Sequence, residues 1–151
     1  MHLRPVNIND KEILLKWAND PVTRQNSFDS NAITFSDHEK WFQDKLDNKN
    51  EVMLMAVDQK KDVGHIRFCL ENNQVEVNIN VAPDERGKGY GAEMLKMAVP
   101  WLFKHHGAQK VIAYIKPDNL ASIKTFQKAG FRVCDLERFK GEDCFKMQFH
   151  P

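Results

Sequence analysis

Cysteine is scarce in this chain: Cys69, Cys134 and Cys144 are an odd number, far apart, with no CxxC pair and no neighbouring histidine at metal-ligand spacing. That argues against a disulfide scaffold and a zinc site, so the three read as reduced core or strand residues and no metal is expected. No apolar run approaches the roughly 20 residues a membrane span needs. The N-terminal stretch MHLRPVNIND holds no apolar leader, and a cytoplasmic protein without a membrane partner is expected. Charge of one sign is missing too: Lys+Arg number 22 against Asp+Glu 21, a net charge of +1. Nothing global draws the chain to nucleic acid, so any anion binding must be local. Repeats, low-complexity tracts and Pro/Gly/Ser linkers are also lacking. The 151 residues therefore read as a single domain, 1–151, long enough to bury roughly two thirds of its unfolded surface.

What is present is a legible order of elements. An extended Leu3–Asn7 leads to Asn9, the expected helix cap, with Glu12 three residues on and Ile13, Leu14 and Trp17 at helical spacing. That helix should end near Asp20-Pro21. An irregular stretch follows, and Ser36-Asp37-His38-Glu39 reads as a capping box opening a second helix with Phe42 and Leu46 one turn apart. Val52–Val57, Val63–Leu70 and Val75–Val81 are extended runs separated by the polar turns Asp58–Asp62 and Glu71–Gln74, which predicts an antiparallel meander. In the third run Val75, Val77, Ile79 and Val81 alternate with Glu76, Asn78 and Asn80, giving one core face and one polar face. A helix of about four turns should follow, kinked or ended at Pro100. Val111–Ile115 reads as a strand, Asp118 or Asn119 as the cap of a helix stopped by Gly130, and Phe131–Phe139 and Asp143–Phe149 as closing strands. The predicted order is βααβββαβαββ, an α+β domain on one mixed, mostly antiparallel sheet.

Between the third run and its helix stands Arg86-Gly87-Lys88-Gly89-Tyr90-Gly91. Three glycines allow a tight turn that presents N–H groups to one point, and the helix start adds unpaired donors and a positive dipole end, a seat for phosphate or pyrophosphate. A P-loop is excluded, because Lys88 is followed by Gly89 where a hydroxyl must hold magnesium. The letters fit the dinucleotide fingerprint from Gly87 to Ala92, but a meander precedes them and Lys116 stands at the end of the next strand in place of an acid. The third reading is R-x-x-G-x-G after Val-Ala-Pro, with Asn119-Leu120-Ala121-Ser122 and Lys128-Ala129-Gly130-Phe131 downstream. In these paired motifs the sequence resembles the GNAT superfamily of acetyl-CoA-dependent N-acetyltransferases, from the first strand to the last.

The resemblance implies acetyl-CoA as co-substrate. The main chain of Arg86, Gly87, Lys88, Gly89, Tyr90 and Gly91, with Ala92, would hold its pyrophosphate, while Val81 through its main chain and Asn119 through its side chain would meet the pantetheine arm. Asn119 is equally a helix cap. Acetyl transfer to nitrogen needs a neutral amine, donors for a developing oxyanion and a proton for the departing thiolate. Glu76 matches the position where related ribosomal-protein N-terminal acetyltransferases carry a glutamate base acting through water; an exposed strand carboxylate is the alternative. Asn78 and Asn80 share its face and can orient substrate or water. Many superfamily members carry a tyrosine acid four residues after the serine position, where this chain has Phe126. That leaves Ser122 as the candidate acid, against a helix serine bonding its own backbone, with Tyr114 a weaker substitute and solvent a further source of the proton.

The segments Trp17–Arg24, Ser27-Phe28 and His38–Phe42 resemble the pattern of acetyltransferases that modify a nucleotide-linked amino sugar, such as that of the pseudaminic acid pathway. Ala18 stands where those relatives carry arginine. The physical reading agrees: Arg24 and Arg67 would pair with phosphates, Trp41 and Phe28 would stack on a ring, and His38 or His65 would bond hydroxyls. The plainer reading makes Trp17, Trp41 and Phe42 a core stripe and His38 an exposed helix residue. The acceptor expected is thus a small-molecule amine, the 4-amino group of a nucleotide-linked sugar; the alternatives are a ribosomal-protein type N-terminal acetyltransferase and a non-catalytic acyl-CoA-binding regulator. A homodimer through the C-terminal strands stays open, Phe145, Met147 and Phe149 being as easily explained as core.

Overall fold

A computed structural model describes residues 1–71 and 74–150. The turn expected over Glu71–Gln74 falls partly on Asn72 and Asn73, outside the described residues. Strand β1 (His2–Pro5) leads to a 3-10 turn, Ile8–Asp10, and α1 (Lys11–Ala18). The capping box sits two residues earlier than expected: Asn7 accepts from the Asn9 N–H at 2.9 Å and Asp10 accepts from the Asn7 N–H at 2.8 Å. Asn7 and Asp10 repeat the Asn-x-x-acid spacing of Asn9 and Glu12, and the earlier pair wins because Arg4 also grips Asp10, through both carboxylate oxygens.

The stretch expected to be irregular holds an additional helix, α2 (Pro21–Asn26), capped by Asp20 with Pro21 in its first turn. None of its residues is buried, so no apolar periodicity announces it, and the order becomes βαααβββαβαββ. Helix α3 (Phe35–Asp47) is capped by Thr34, whose hydroxyl accepts from the Asp37 N–H at 3.1 Å, so the Ser36 box is displaced by the same pattern two residues earlier.

Strands β2 (Glu51–Asp58), β3 (Lys61–Glu71) and β4 (Gln74–Val81) form the meander, and α4 (Tyr90–His106) follows. Pro100 does not end α4, which runs on to His106 with Leu95, Ala98, Val99 and Leu102 anchored in the core. Then come β5 (Lys110–Ile115), α5 (Leu120–Lys128), β6 (Phe131–Phe139) and β7 (Glu142–Phe149). The β2–β3 and β6–β7 hairpins turn on Gln59-Lys60 and Lys140-Gly141, all four at positive φ, the geometry that matches strand twist in two-residue turns.

The seven strands form one sheet in the order β1-β2-β3-β4-β5-β7-β6, antiparallel except where β4 meets β5. That parallel pairing covers only Gln74–Glu76 against Lys110–Ile112. Beyond it β4 continues with β3 to Val81 while β5 stays with β7 to Ile115, so the two strands part into a wedge. On one sheet face Phe68, Val77, Ala113 and Met147 pack with α4 and α5; on the other Met53 and Met55 pack with Leu14 and Trp17 of α1 and Phe42 of α3. Each such side chain contributes about 1.5–3 kcal/mol on burial. Met147 is fully buried and Phe145 and Phe149 pack beside it, which accounts for all three as core.

Candidate functional site

Parallel strands send their following helices to the same sheet edge, and so the start of α4 and the start of α5 meet at the mouth of the wedge. After a 3-10 turn at Pro83–Glu85, Gly87 and Gly89 take φ of 79° and 83°, and Gly89 is the first flank of α4, with no side chain capping it. The first main-chain bond there runs from Glu93 to Gly89, so the N–H groups ahead of Glu93 precede the helical ladder. A Cβ on Gly87 or Gly89 would meet nothing within 4 Å, leaving the loop open to a ligand. Gly91 serves differently from the expectation that all three glycines make the turn: its φ is not left-handed, but a Cβ would lie 2.8 Å from Thr125 Cγ2, so it lets α4 close on α5.

The side chains of this loop are engaged by the protein. Lys88 and Lys61 both pair with the buried carboxylate of Glu85. Tyr90 donates to Asp58 at 2.7 Å, which pushes its phenol up to about 12. Arg86 donates to Asp20 Oδ2 at 2.8 Å and to Thr23 Oγ1 at 3.0 Å. The loop therefore offers main-chain N–H groups, and these with the α4 dipole fit a pyrophosphate. Across the wedge, Asn119 accepts from the Ser122 N–H at 3.3 Å as the cap of α5, and Ser122 is half-buried. Phe126 is 2% exposed, edge-on to Phe131 with centroids 5.0 Å apart.

On the polar face Glu76, Asn78 and Asn80 stand opposite Cys69, Arg67 and His65 of β3. Glu76 is half-buried at the last paired position before the strands part, and its charge, after burial and Glu137, helps to raise the Tyr114 phenol. Arg67 donates to Glu51 at 3.2 Å with its guanidinium 5.7 Å from the Trp41 ring centre, and Lys45 holds the same carboxylate at 3.0 Å. Burial and Glu51 together push the Cys69 thiol up to about 11.

Beside this face a cavity of about 510 Å³ is lined by Arg24, Ile33, His38, Trp41, His65 and Asn80, with Asp29 and Asp37 contributing carboxylates. His38 is 3% exposed, which corrects the reading of it as an exposed helix residue: its Nε2 lies 2.9 Å from the Lys11 carbonyl and its ring stacks on Trp41, while burial lowers its pKa. His65 is held neutral, its pKa driven down to about 3 by burial and by Arg67. Its Nε2 is buried without a partner among the described residues, a deficit of about 1–3 kcal/mol. Arg24 donates to the carbonyls of Ala18, Asp29 and Asn31 and to Ser27 Oγ, so its fork shapes the loop that lines the cavity. Asn19 holds the main chain of Ile33 at both ends, 2.8 Å to the carbonyl and 2.7 Å from the N–H. Phe28 meets Phe139 edge-on at 5.0 Å, and Phe139 stacks on Tyr114 at 4.2 Å, carrying the strap across to β5 and β6.

Residues 1–132 match the family of the acetyltransferase (GNAT) domain. The chain belongs to that family. An uncharacterized protein, MJ1062, of Methanocaldococcus jannaschii is 24% identical over 134 residues, 86% of this chain but only 28% of that protein, so the chain spans about a quarter of that relative's length. The acetyltransferase PseH of Campylobacter jejuni is 20% identical across 93% of this chain and 88% of its own. In three dimensions the domain superposes on AAC(6')-Ib in complex with ribostamycin and coenzyme A with a TM-score of 0.86, at 20% identity, covering 97% of this chain and 91% of that one.

Within this GNAT domain the expected residues fall into three groups. Arg86 to Ala92, Val81, Asn119 and Ser122 gather at the wedge mouth; Glu76 and Asn78 lie on its polar wall; His38, Trp41 and His65 line the cavity. Arg24 lines the same cavity and Arg67 stands on β3 beside it, both with donors committed, to carbonyls and to Glu51. Asn19, Asp20 and Thr23 stand inside the Trp17–Arg24 pattern singled out in the sequence, but their roles in holding the cavity wall were not assigned there. The signal was the Asn-Asp-Pro triplet, an N-cap before a helix-starting proline.

Proposed function

We propose that the domain transfers the acetyl group of acetyl-CoA to the primary amine of an amino sugar, the nucleotide-linked 4-amino form being the one favoured by the Trp17–Phe42 pattern. Acetyl-CoA supplies a thioester whose carbonyl carbon a neutral amine attacks directly: the C–N bond forms with charge developing on the carbonyl oxygen, and the C–S bond then breaks to release the thiolate. The observation that carries the reading is the wedge itself: parting β4 and β5 leaves Val77–Val81 of β4 without a strand partner on that side, with Glu76 at its root and the 510 Å³ cavity beside it. Pockets of this size hold small polar molecules.

The residues divide the work. The Arg86–Ala92 main chain holds the pyrophosphate, and Val81 and Asn119 hold the pantetheine arm. Glu76 takes the amine proton through a water, Asn78 and Asn80 orient that water and the amine, and Ser122 returns a proton to the thiolate. Trp41 stacks on the sugar ring, while His38 and His65 meet its hydroxyls. Because Arg24 and Arg67 are committed within the protein, the sugar enters the cavity and a nucleotide diphosphate stays outside it.

The test mixes acetyl-CoA with nucleotide-linked 4-amino sugars, free amino sugars and peptides while free thiol is followed. Turnover with the sugars and none with peptides is expected; turnover with peptides alone overturns the reading.

A further inference from the structure

The proposed cofactor loop and the cavity are joined by one continuous set of hydrogen bonds through α2. Arg86, in the loop, donates to Asp20 and Thr23. Asp20 caps α2 by accepting from the Thr23 N–H at 3.2 Å, and the Thr23 hydroxyl reaches Asn80 Oδ1, in the cavity wall, at 3.5 Å. From the same helix Arg24 gathers the carbonyls of Asp29 and Asn31, and Asn19, one residue before Asp20, clamps Ile33. Helix α2 buries none of its six residues, so these polar bonds, together with Lys116 on the Gln25 carbonyl and Phe28 on Phe139, are what hold it. An element held this way belongs to the easily opened part of a fold.

We propose that Asp20 and Thr23 are positioning residues that transmit occupancy of the Arg86–Gly91 loop to the wall of the acceptor cavity. The proposal rests on the reading of that cavity as the acceptor site. A pyrophosphate gripped by the loop amides restricts the Arg86 backbone and thereby its side chain. Arg86 then holds Asp20 and Thr23 more firmly in the arrangement they already share, and the 29–33 segment opens less often. The acceptor meets a cavity whose ordering cost has already been met, a coupling that is reciprocal between the two ligands.

The reporter is the Ile33 amide, whose N–H is held by Asn19. Hydrogen exchange of the full chain is measured with and without free CoA as the probe. In the parent protein CoA slows exchange at Ile33 and along α2 by about fivefold or more. Asp20→Asn keeps an oxygen to cap α2 but loses the charge facing Arg86, and Thr23→Val removes the hydroxyl while leaving Asp20 in place. Both variants still bind CoA, which protects the loop amides as in the parent, and lose most of the slowing at Ile33. The proposal is overturned if the slowing persists in both variants, if CoA protects the loop amides of the parent but not Ile33, or if either variant no longer binds CoA. Failure of the cavity reading shows separately, as an unchanged KM in Asn80→Ala for the amino sugar that the parent protein acetylates.

Discussion

Gly87 and Gly89 set the proposed pyrophosphate seat by backbone conformation alone, and beneath it Met94, Leu95 and Ala98 of α4 are wholly buried. The wall of the proposed acceptor cavity, from Asn19 to Ile33, is made the opposite way: no residue of α2 is buried, and side-chain amides, a guanidinium and carboxylates tie loop to helix. The first region is rigid because removing it from water drives its packing; the second is held by exchangeable polar bonds, each worth about 0.5–1.5 kcal/mol net. An anion shared by a whole superfamily suits a fixed seat, whereas acceptor choice is more readily altered in a strap with no core to preserve.

The sharpest way to separate the regions is Glu76→Gln, at the root of the wedge. It should lower kcat by about a hundredfold or more, the scale of a lost proton acceptor, while leaving the calorimetric affinity for acetyl-CoA unchanged. A parallel fall in affinity would make Glu76 structural. Next in size is Gly89→Val: a β-branched residue at φ 83° costs about 1–3 kcal/mol, so Kd for CoA should rise about tenfold while turnover at saturating CoA holds. Unchanged affinity would mean the seat is elsewhere.

Smaller again is Asn19→Ala, which releases both ends of Ile33. Stability by chemical denaturation should fall by about 1–3 kcal/mol, with CoA affinity intact. The smallest effect is a pH slope. His65 has a folded pKa of about 3 against 6.5 in the unfolded chain, so its contribution is complete above pH 6.5 and is lost as pH falls toward 3. Its share of the slope is at most about 1.4 kcal/mol per pH unit. His65→Asn should flatten stability measured between pH 6.5 and 5, and an undiminished slope would place the titration on another group.

Much of this was legible residue by residue. The alternation from Val75 to Val81 revealed both the core face and the polar face of β4, and the cap before the Leu-Ile-Phe stripe was narrowed to Asp118 or Asn119, of which Asn119 serves. The capping boxes ahead of α1 and α3 were misplaced because Asn7, which caps the 3-10 turn before α1, and Thr34 carry the same spacing as Asn9 and Ser36, and local pattern does not choose between overlapping boxes. Helix α2 shows no periodicity because it has no buried face, and the Asn-Asp-Pro triplet that opens it was its one signal. The plainer reading of His38 as exposed fails because its burial comes from Lys11 and Trp41, one of them 27 residues away.

Every element type but that of α2, the glycine-rich turn and the family can be read along the chain, since each depends on neighbours within a few positions or on spacing along one strand or helix. Only the tertiary structure decided that β4 and β5 part after three paired positions, that Gly91 serves packing, and that Arg24, Arg67 and Arg86 spend their charge on carbonyls, Glu51 and Asp20. Those outcomes depend on groups as many as 66 residues apart meeting in space, and a residue's local pattern carries no record of the partner that will satisfy it.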